Sequence, residues 1–368
     1  MTANRRVLGD SPEDVEKARV EEAAQAAAAR AALDDRVSPA KKIALAVAVV
    51  AVFLLSFSVG RYPIALPDLV SAVWNTLIGN TDAVDPRVAT ALFNVRLPRV
   101  LMVMLAGAAL AVSGAAYQGM FKNPLVSPDL LGASAGASLG ACLGLLWGLG
   151  TLQVQILAFC GGLLAVGMSV WFTKLVRYDP ILSLVLAGML VSTLFQSGMS
   201  IVKFAADAND KLPTITFWLM GSFSRISKHD LAVVALPMLI GFAILLAQSW
   251  KLNVLSFGEE EARSMGINTG RVRLLVILAS TLVVSCTVAV AGIVGWVGLV
   301  IPHLARALVG PNYKRLLPTS ILIGSAYLLA VDDIARNLTA VEIPIGILTA
   351  ILGVPFFVFI FRRNMKGW

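Results

Sequence analysis

The side chains that could carry out chemistry are few in this 368-residue chain, and they are scattered. Its two histidines, His229 and His303, have no partner at a spacing that would hold a metal ion. The three cysteines lie inside apolar runs without CxxC or CxxH spacing, so we interpret them as small buried side chains: Cys142, Cys160 and Cys286. The signatures GxxxxGK(S/T) and HExxH are absent. The sequence therefore indicates neither an enzyme nor an ATP-binding subunit, and we expect no metal or cofactor in this chain.

Charged residues concentrate in a few short segments. Arg96 and Arg99 flank Leu97-Pro98 and share one face of a helix start, where either snorkelling to lipid phosphate or contact with an acidic partner would suit them. The longest charged loop, residues 251–273, contains three acids in a row that suit the positive end of a helix dipole. Its length and mixed charge favour a structured contact at the cytoplasmic face over an ordinary solvated loop.

Composition places the chain in a membrane. It is 58% hydrophobic and only 14% charged, whereas a soluble domain carries about 25% charged residues. The mean hydropathy of +0.81 agrees with this interpretation. The net charge of +8 does not indicate nucleic-acid binding, because the basic residues punctuate long apolar runs instead of forming a patch.

Uncharged runs predict the membrane-spanning helices, because a helix needs about 20 apolar residues to cross and a central charge costs at least ~2.5 kcal/mol. We predict an all-α, polytopic protein with about ten spans. The run 130–173 is long enough for two spans, with a hinge near 148–153, and the run 274–301 breaks near Gly292 into a seventh span and a short eighth. The other spans are predicted at 43–60, 100–121, 180–202, 231–250, 316–331 and 343–361, with a short, non-crossing helix within 212–224.

The positive-inside rule predicts that both termini are cytoplasmic, since about two thirds of the 30 Lys and Arg residues then fall on inside segments. Residues 1–40 are polar and carry no secretory signal. We expect a solvated cytoplasmic extension there, or a partner-binding helix, followed by a transmembrane domain over 41–368.

Two further patterns concern packing and energy. Glycines recur every four residues at Gly132, Gly136, Gly140 and Gly144, which predicts close helix packing in lipid.

The predicted spans contain almost no ionisable groups, which an ion-coupled transporter or a proton pump would need. If the chain is a transporter, its energy therefore comes from another chain.

Several segments, in order, resemble the permease subunit of iron–siderophore and vitamin B12 ABC importers, the FecCD/BtuC family. The resemblance covers about residues 43–363 and excludes the polar head. The segments that carry it are Arg96-Leu97-Pro98-Arg99, residues 106–114, Asn123-Pro124-Leu125-Val126-Ser127-Pro128, residues 131–137, Phe217-Trp218-Leu219-Met220-Gly221, residues 258–266, Gly298-Leu299-Val300-Ile301-Pro302-His303 and Glu342-Ile343-Pro344-Ile345-Gly346.

This resemblance implies the permease fold of type II ABC importers, in a prokaryotic cytoplasmic (inner) membrane. It implies a homodimer, two cytoplasmic ATPase subunits that hold ATP and Mg²⁺, and an extracytoplasmic binding protein. The implied roles are docking of the binding protein by Arg96, Arg99 and Arg336, a cytoplasmic gate at Asn123 and Leu125, and ATPase coupling by Gly258, Glu259, Glu260, Ala262, Arg263 and Gly266.

The cargo is left open by the sequence. The resemblance implies a metal chelate, with a ferric siderophore as the first expectation and cobalamin or haem as alternatives. A secondary transporter without an ATPase is a less favoured class. His303 lies in a segment of the family pattern, so we expect a structural role for it. The second gate loop, around 178–182, is more apolar than expected, and no gate residue is assigned there.

Overall fold

The computed structural model describes residues 39–364 except 61–63, 81, 83 and 176–179, so the predicted extension 1–40 lies almost wholly outside the described residues. Within the described part, the chain is helical and contains no strand. Its α-helices, in chain order, are α1 (Pro39–Ser58), α2 (Leu66–Leu77), α3 (Pro86–Ala89), α4 (Leu97–Met120), α5 (Ala133–Leu146), α6 (Thr151–Leu175), α7 (Pro180–Ala205), α8 (Lys211–Leu219), α9 (Lys228–Ala247), α10 (Ser249–Phe257), α11 (Glu259–Ser264), α12 (Thr269–Ala291), α13 (Val297–Val309), α14 (Tyr313–Asn337) and α15 (Ile345–Asn364).

Ten of these helices correspond to the predicted spans. Seven described helices are long and apolar enough to cross a membrane by length and composition: α1, α4, α6, α7, α9, α12 and α14. Three shorter apolar helices, α5, α13 and α15, complete the set. The predicted hinge falls between α5 and α6, and the predicted break follows α12, where Gly292 has φ +73°. The all-α polytopic fold is confirmed.

The two ends of the bundle are identified by contacts between helix ends. Arg99, at the start of α4, pairs with Asp332 near the end of α14. At the opposite end, the backbone N–H of Tyr313, at the start of α14, donates to Asn253 of α10 at 2.8 Å. We call the first the ion-pair end and the second, which also carries the loop of residues 251–273, the loop end.

Glycines allow the helices at the centre of the bundle to approach closely. A Cβ at Gly136 or Gly140 would collide with α6 carbonyl groups, those of Gly161 and Leu157 respectively, and Gly144 also lies against α6. Gly132 differs from the rest of the predicted stripe, because it precedes α5 and lies against Ser192 of α7. A second crossing pairs Gly107 of α4 with Gly324 of α14, where each would clash with the carbonyl of the other. Such contacts join helices by dispersion in a solvent that offers no hydrophobic driving force.

Helix boundaries differ from the sequence prediction in two places. Helix α14 continues six residues past the predicted end at 331, because its charged last turns are paired within the protein. A π-helical turn, Thr90–Arg96, and the short helix α3 precede α4, and α2 occupies a connection for which we predicted no helix. Helix α2 starts with Pro67 in its first turn, which is a helix-start signal that the search for membrane spans ignored.

Candidate functional site

The short helix α11 has a fixed position because glycines mark both of its ends. Gly258 precedes it with φ +154°, and the side chain of Glu261 occupies the space that a Cβ there would need. Gly266 follows with φ +79°, a left-handed conformation that glycine adopts without strain. Between them, Ala262 is fully buried. The helix is therefore seated on the protein as a defined element.

Glu259 fastens α11 to the start of α12. Its carboxylate accepts a hydrogen bond from Thr269 Oγ1 at 3.0 Å and pairs with Arg263 at 2.9 Å and Arg273 at 3.2 Å. Burial alone would raise the pKa of Glu259, but the hydrogen bond from Thr269 and the two positive charges outweigh it and lower the pKa. The carboxylate is therefore ionised at neutral pH, and this attachment is lost only as the pH falls through the lowered value.

The other side of α11 is exposed and of mixed character. Glu260, Glu261 and Arg263 face outward, and they are flanked by the apolar side chains of Phe257, which is 51% exposed, and Met265, which is 59% exposed. Apolar side chains beside a charged helix outside the membrane-length segments are typical of a protein contact surface. The residues predicted for coupling thus form two groups. Glu259 and Ala262 hold α11 on the protein, and Glu260 and Arg263 are exposed on its outer side.

The turn after α4 brings the two predicted gate residues together. Asn123 Oδ1 accepts a hydrogen bond from the backbone N–H of Leu125 at 2.9 Å, and half of the Leu125 side chain is exposed. His303 Nε2 donates to the carbonyl of Pro124 at 2.9 Å, because a carbonyl can only accept. The His303 ring also packs edge-on against Phe357 of α15 at 5.8 Å. His303 therefore fixes this turn to α13. Two of the five residues of the other expected gate loop, 178 and 179, lie outside the described residues, and the remaining three begin α7.

The three arginines predicted for docking meet at the ion-pair end, where they are buried. Arg99 makes two-pronged contacts with Asp332, at 2.8 and 3.0 Å, and with Glu342, at 3.0 Å for both. Arg336 lies 3.3 Å from Asp332, contacts Asp333 and donates to Ser56. The guanidinium of Arg96 donates to the carbonyl of Phe57. We call the group formed by Arg96, Arg99, Asp332, Asp333, Arg336 and Glu342 the ion-pair network.

The network joins α1, α4, α14 and the connection before α15. Its three guanidinium groups are matched by three carboxylates, so its formal charge is zero. The side chain of Asp332 is 1% exposed, and those of Arg99 and Arg336 are 9% and 7% exposed. At such burial, each charge depends on its partners, because water does not replace them. The three arginines thus have their partners within this chain, and their docking role remains a prediction.

Helix α7 presents a polar face in the middle of a membrane-length helix. Thr193, Gln196, Ser197 and Ser200 are exposed, and their spacing of three to four residues places them on one side. The three hydroxyls donate to carbonyls of the preceding turn of the same helix, at 2.9 to 3.1 Å. Hydroxyl groups bonded in this way are tolerated in a membrane helix, and Gln196 adds an amide, so the stripe suits contact with water or another protein better than contact with lipid.

Comparison with known proteins decides the family. The family model described as the FecCD transport family matches residues 48–363. The chain belongs to the FecCD transport family. The resemblance found in the sequence is thereby confirmed. The FecCD family consists of transport permease subunits, and this chain is a multi-pass membrane protein of that family.

Individual FecCD relatives differ in cargo. The molybdate import permease MolB of Haemophilus influenzae is 38% identical over 314 residues, which are 85% of this chain and 93% of MolB. The cobalamin import permease BtuC of Halobacterium salinarum is 36% identical over 73% of this chain and 72% of its own. A solved inward-facing metal-chelate type ABC transporter is 37% identical, with a TM-score of 0.80, over 89% of this chain and all of its own. The chain is thus a permease of a metal-chelate type ABC importer.

The acidic half of the ion-pair network in this FecCD chain was not predicted from the sequence. Asp332 and Asp333 precede Arg336 by four and three residues, a spacing at which opposite charges meet on a helix. That signal was available in the sequence. The contact of Arg99 with Asp332 could not be predicted in this way, because the two residues are 233 positions apart. The polar stripe of α7 was also missed, since its residues carry no charge and were counted as part of an uncharged run.

Proposed function

We propose that this chain is the membrane-spanning subunit of an ATP-driven importer that carries a ferric siderophore. The observation that carries the proposal is the uncharged polar stripe of α7. A ferric siderophore is bulky and presents many oxygen atoms, so neutral hydroxyl and amide groups suit its passage. They contact it weakly, which permits release on the far side, whereas a strongly charged lining would hold it.

A second copy of the chain would complete the passage. Four polar side chains on one face of a membrane helix suit a facing surface of water or protein better than lipid. Twofold symmetry would set the stripe of one protomer opposite the same stripe of its partner, with the passage between them. This homodimer, with both termini at the cytoplasmic face of a prokaryotic inner membrane, is the arrangement that the proposal requires.

The energy would come from two ATPase subunits seated on α11. The helix is anchored on one side by Glu259 and Ala262, and its other side exposes Glu260, Phe257 and Met265. A rigid attachment can transmit the closure of the ATPase to α12, and packed helices switch between discrete arrangements. ATP and Mg²⁺ belong to those subunits, and this chain remains non-catalytic.

On the opposite face, a binding protein would deliver the cargo. The proposed contacts are Arg96, Arg99 and Arg336. Because the ion-pair network is already neutral, an acidic side chain of the binding protein must displace Asp332, Asp333 or Glu342 to reach a guanidinium. Docking would therefore exchange ion pairs, and it would loosen the attachment of α4 to α14 at that end.

Molybdate is the second candidate cargo, because MolB is 38% identical over most of its length. The amide of Gln196 can donate hydrogen bonds to an oxyanion as well as to a chelate, and a stripe hydroxyl could do so by turning away from its helix carbonyl. Cobalamin and haem are also named among the relatives. A transporter that works without an ATPase is the remaining class.

Uptake into proteoliposomes tests the cargo. We expect ATP-dependent accumulation of a ferric siderophore when the permease is reconstituted with its ATPase subunits and binding protein, and no accumulation without ATP. Molybdate, cobalamin and haem would be offered at equal concentration in parallel vesicles. Accumulation of one of these instead would reassign the cargo, and gradient-driven uptake by the permease alone would contradict the ATP-driven class.

The double substitution E260A/R263A tests the coupling surface. We expect transport to fall by roughly tenfold or more while ATP hydrolysis continues, because truncating a hot-spot residue at an interface costs about 2 kcal/mol or more. Folding should be unchanged, since Glu259 keeps Arg273 and Thr269. Arg271→Ala, an exposed cation at the same end, is the matched control and should transport normally. Full transport by the double variant would exclude this surface as the point of coupling.

A further inference from the structure

A cavity of about 280 Å³ lies at the loop end of the bundle, between α1, α13 and α14. Its walls include the apolar side chains of Leu45, Leu308 and Leu322, together with Lys41, Lys314 and Arg315. Nothing in the transport cycle derived above uses this cavity. Its lining residues come from α1, α13 and α14, and none belongs to the turn at Asn123 or to α11.

The charge around the cavity is one-sided. Residues 39–58 and 297–331, which contain its walls, include no aspartate or glutamate. They do contain Lys41, Lys42, Arg306, Lys314 and Arg315. Lys41 and Lys314 are exposed. These wall segments therefore supply positive charge and no negative charge to the cavity, which favours an anion.

The order of polar and apolar groups along α1 and α14 matches the order in a phospholipid. Arg315 precedes Leu322 by seven residues, about 10 Å along α14, and Lys41 precedes Leu45 by one turn of α1. The cations thus lie toward the starts of α1 and α14, at the loop end, and Leu45 and Leu322 lie deeper in the bundle. Leu322 is 42% exposed, so the deeper part opens outward to where acyl chains lie, and Leu308, near the end of α13, is 41% exposed close to the cations.

We propose that this cavity binds an anionic phospholipid of the membrane leaflet at the loop end. The phosphate would lie among Lys41, Lys314 and Arg315, and an acyl chain would lie along Leu45, Leu308 and Leu322. Basic pockets between transmembrane helices recognise acidic lipid headgroups in this way. A free phosphate would use the cations but would leave the apolar walls exposed, so the lipid is the occupant that fits the whole cavity.

Lipid retention by the purified full-length chain tests the proposal. The chain would be placed in nanodiscs of phosphatidylglycerol and phosphatidylcholine in known ratio, and retained lipids would be counted by native mass spectrometry. We expect a preference for phosphatidylglycerol over the bulk ratio. K314Q/R315Q should lower that preference by about fivefold per charge removed. Lys314→Gln alone changes only an exposed side chain, so it tests the site even if the double variant folds poorly.

Three controls separate the lipid from other occupants. Arg362→Gln removes an exposed cation at the end of α15, outside the cavity, and should leave the preference unchanged. Soluble glycerol phosphate at millimolar concentration should not displace the lipid, and the preference should persist with ATPase subunits bound. Equal retention by Lys314→Gln and the unmodified chain would overturn the proposal. Displacement by glycerol phosphate would indicate an anion site, and loss of the lipid on ATPase binding would indicate a protein-covered surface.

Discussion

Replacing Asp332 by alanine is expected to lower the free energy of unfolding by about 3–5 kcal/mol. The carboxylate contacts both Arg99, at 2.8 Å, and Arg336, at 3.3 Å, and its side chain is 1% exposed. Without it, three guanidinium groups share two carboxylates in a region from which water is excluded. The loss comes mostly from the buried charge that remains, and less from the contact that is removed. Thermal unfolding of the detergent-solubilised chain would measure it.

Two variants show whether charge is the cause. Asp332→Asn keeps the size and an acceptor oxygen but removes the charge. We therefore expect it to lower the free energy of unfolding nearly as much as Asp332→Ala does. Asp210→Ala removes an acid that is 74% exposed, near the start of α8, and should change stability by less than about 0.5 kcal/mol. A change that small for Asp332→Ala as well would mean that water hydrates the network and that its arginines are free to meet a binding protein.

The sequence was sufficient to predict the ten membrane segments because the physical rule behind them is local. Each run is uncharged because placing a charge in hydrocarbon costs free energy, and that cost does not depend on the rest of the fold. The break after α12 was equally local, since Gly292 adopts φ +73° where the helix ends. The same rule placed the end of α14 six residues too early, because it treats Asp332 as an isolated charge.

The contacts that define the site depend on partners far away in the chain. Arg99 and Asp332 are 233 residues apart, and His303 contacts a carbonyl 179 residues earlier. No periodicity reports such pairs. The family resemblance grouped Arg96, Arg99 and Arg336 correctly in space, but it could not supply the acids of this chain that surround them. The polar stripe of α7 has a local signal, the spacing of Thr193, Gln196 and Ser200, which a search for charges alone ignores.

Gly107→Ala is the second substitution with a large expected effect. A Cβ at Gly107 would clash with the carbonyl of Gly324, and α4, which is buried over most of its length, cannot move aside without disturbing its other neighbours. Overpacking of this kind costs about 1–3 kcal/mol or more. We expect reduced thermal stability and a reduced yield of folded protein. The same measurements on Gly324→Ala should give a similar loss, since the contact is reciprocal.

Gly167→Ala is the matched control for Gly107→Ala. Its Cβ would meet nothing within 4 Å, so the same chemical change should be neutral or should stabilise α6 by up to ~1 kcal/mol through helix propensity. Opposite signs for the two variants would locate the effect in the α4–α14 crossing. Equal effects would mean that glycine flexibility, and not close packing, is what the protein requires at position 107.

The two large effects should not add, because both act on the pair α4 and α14. Gly107 lies eight residues from Arg99, about 12 Å along α4, so a side chain at 107 that separates the helices also lengthens the contact of Arg99 with Asp332. Once that contact is weakened, removing Asp332 costs less. The variant G107A/D332A is therefore expected to lose at least about 0.5 kcal/mol less stability than the sum of the single losses. Strict additivity would mean that the crossing and the ion-pair network hold the two helices independently, and a binding protein that opened the network would then leave the crossing in place.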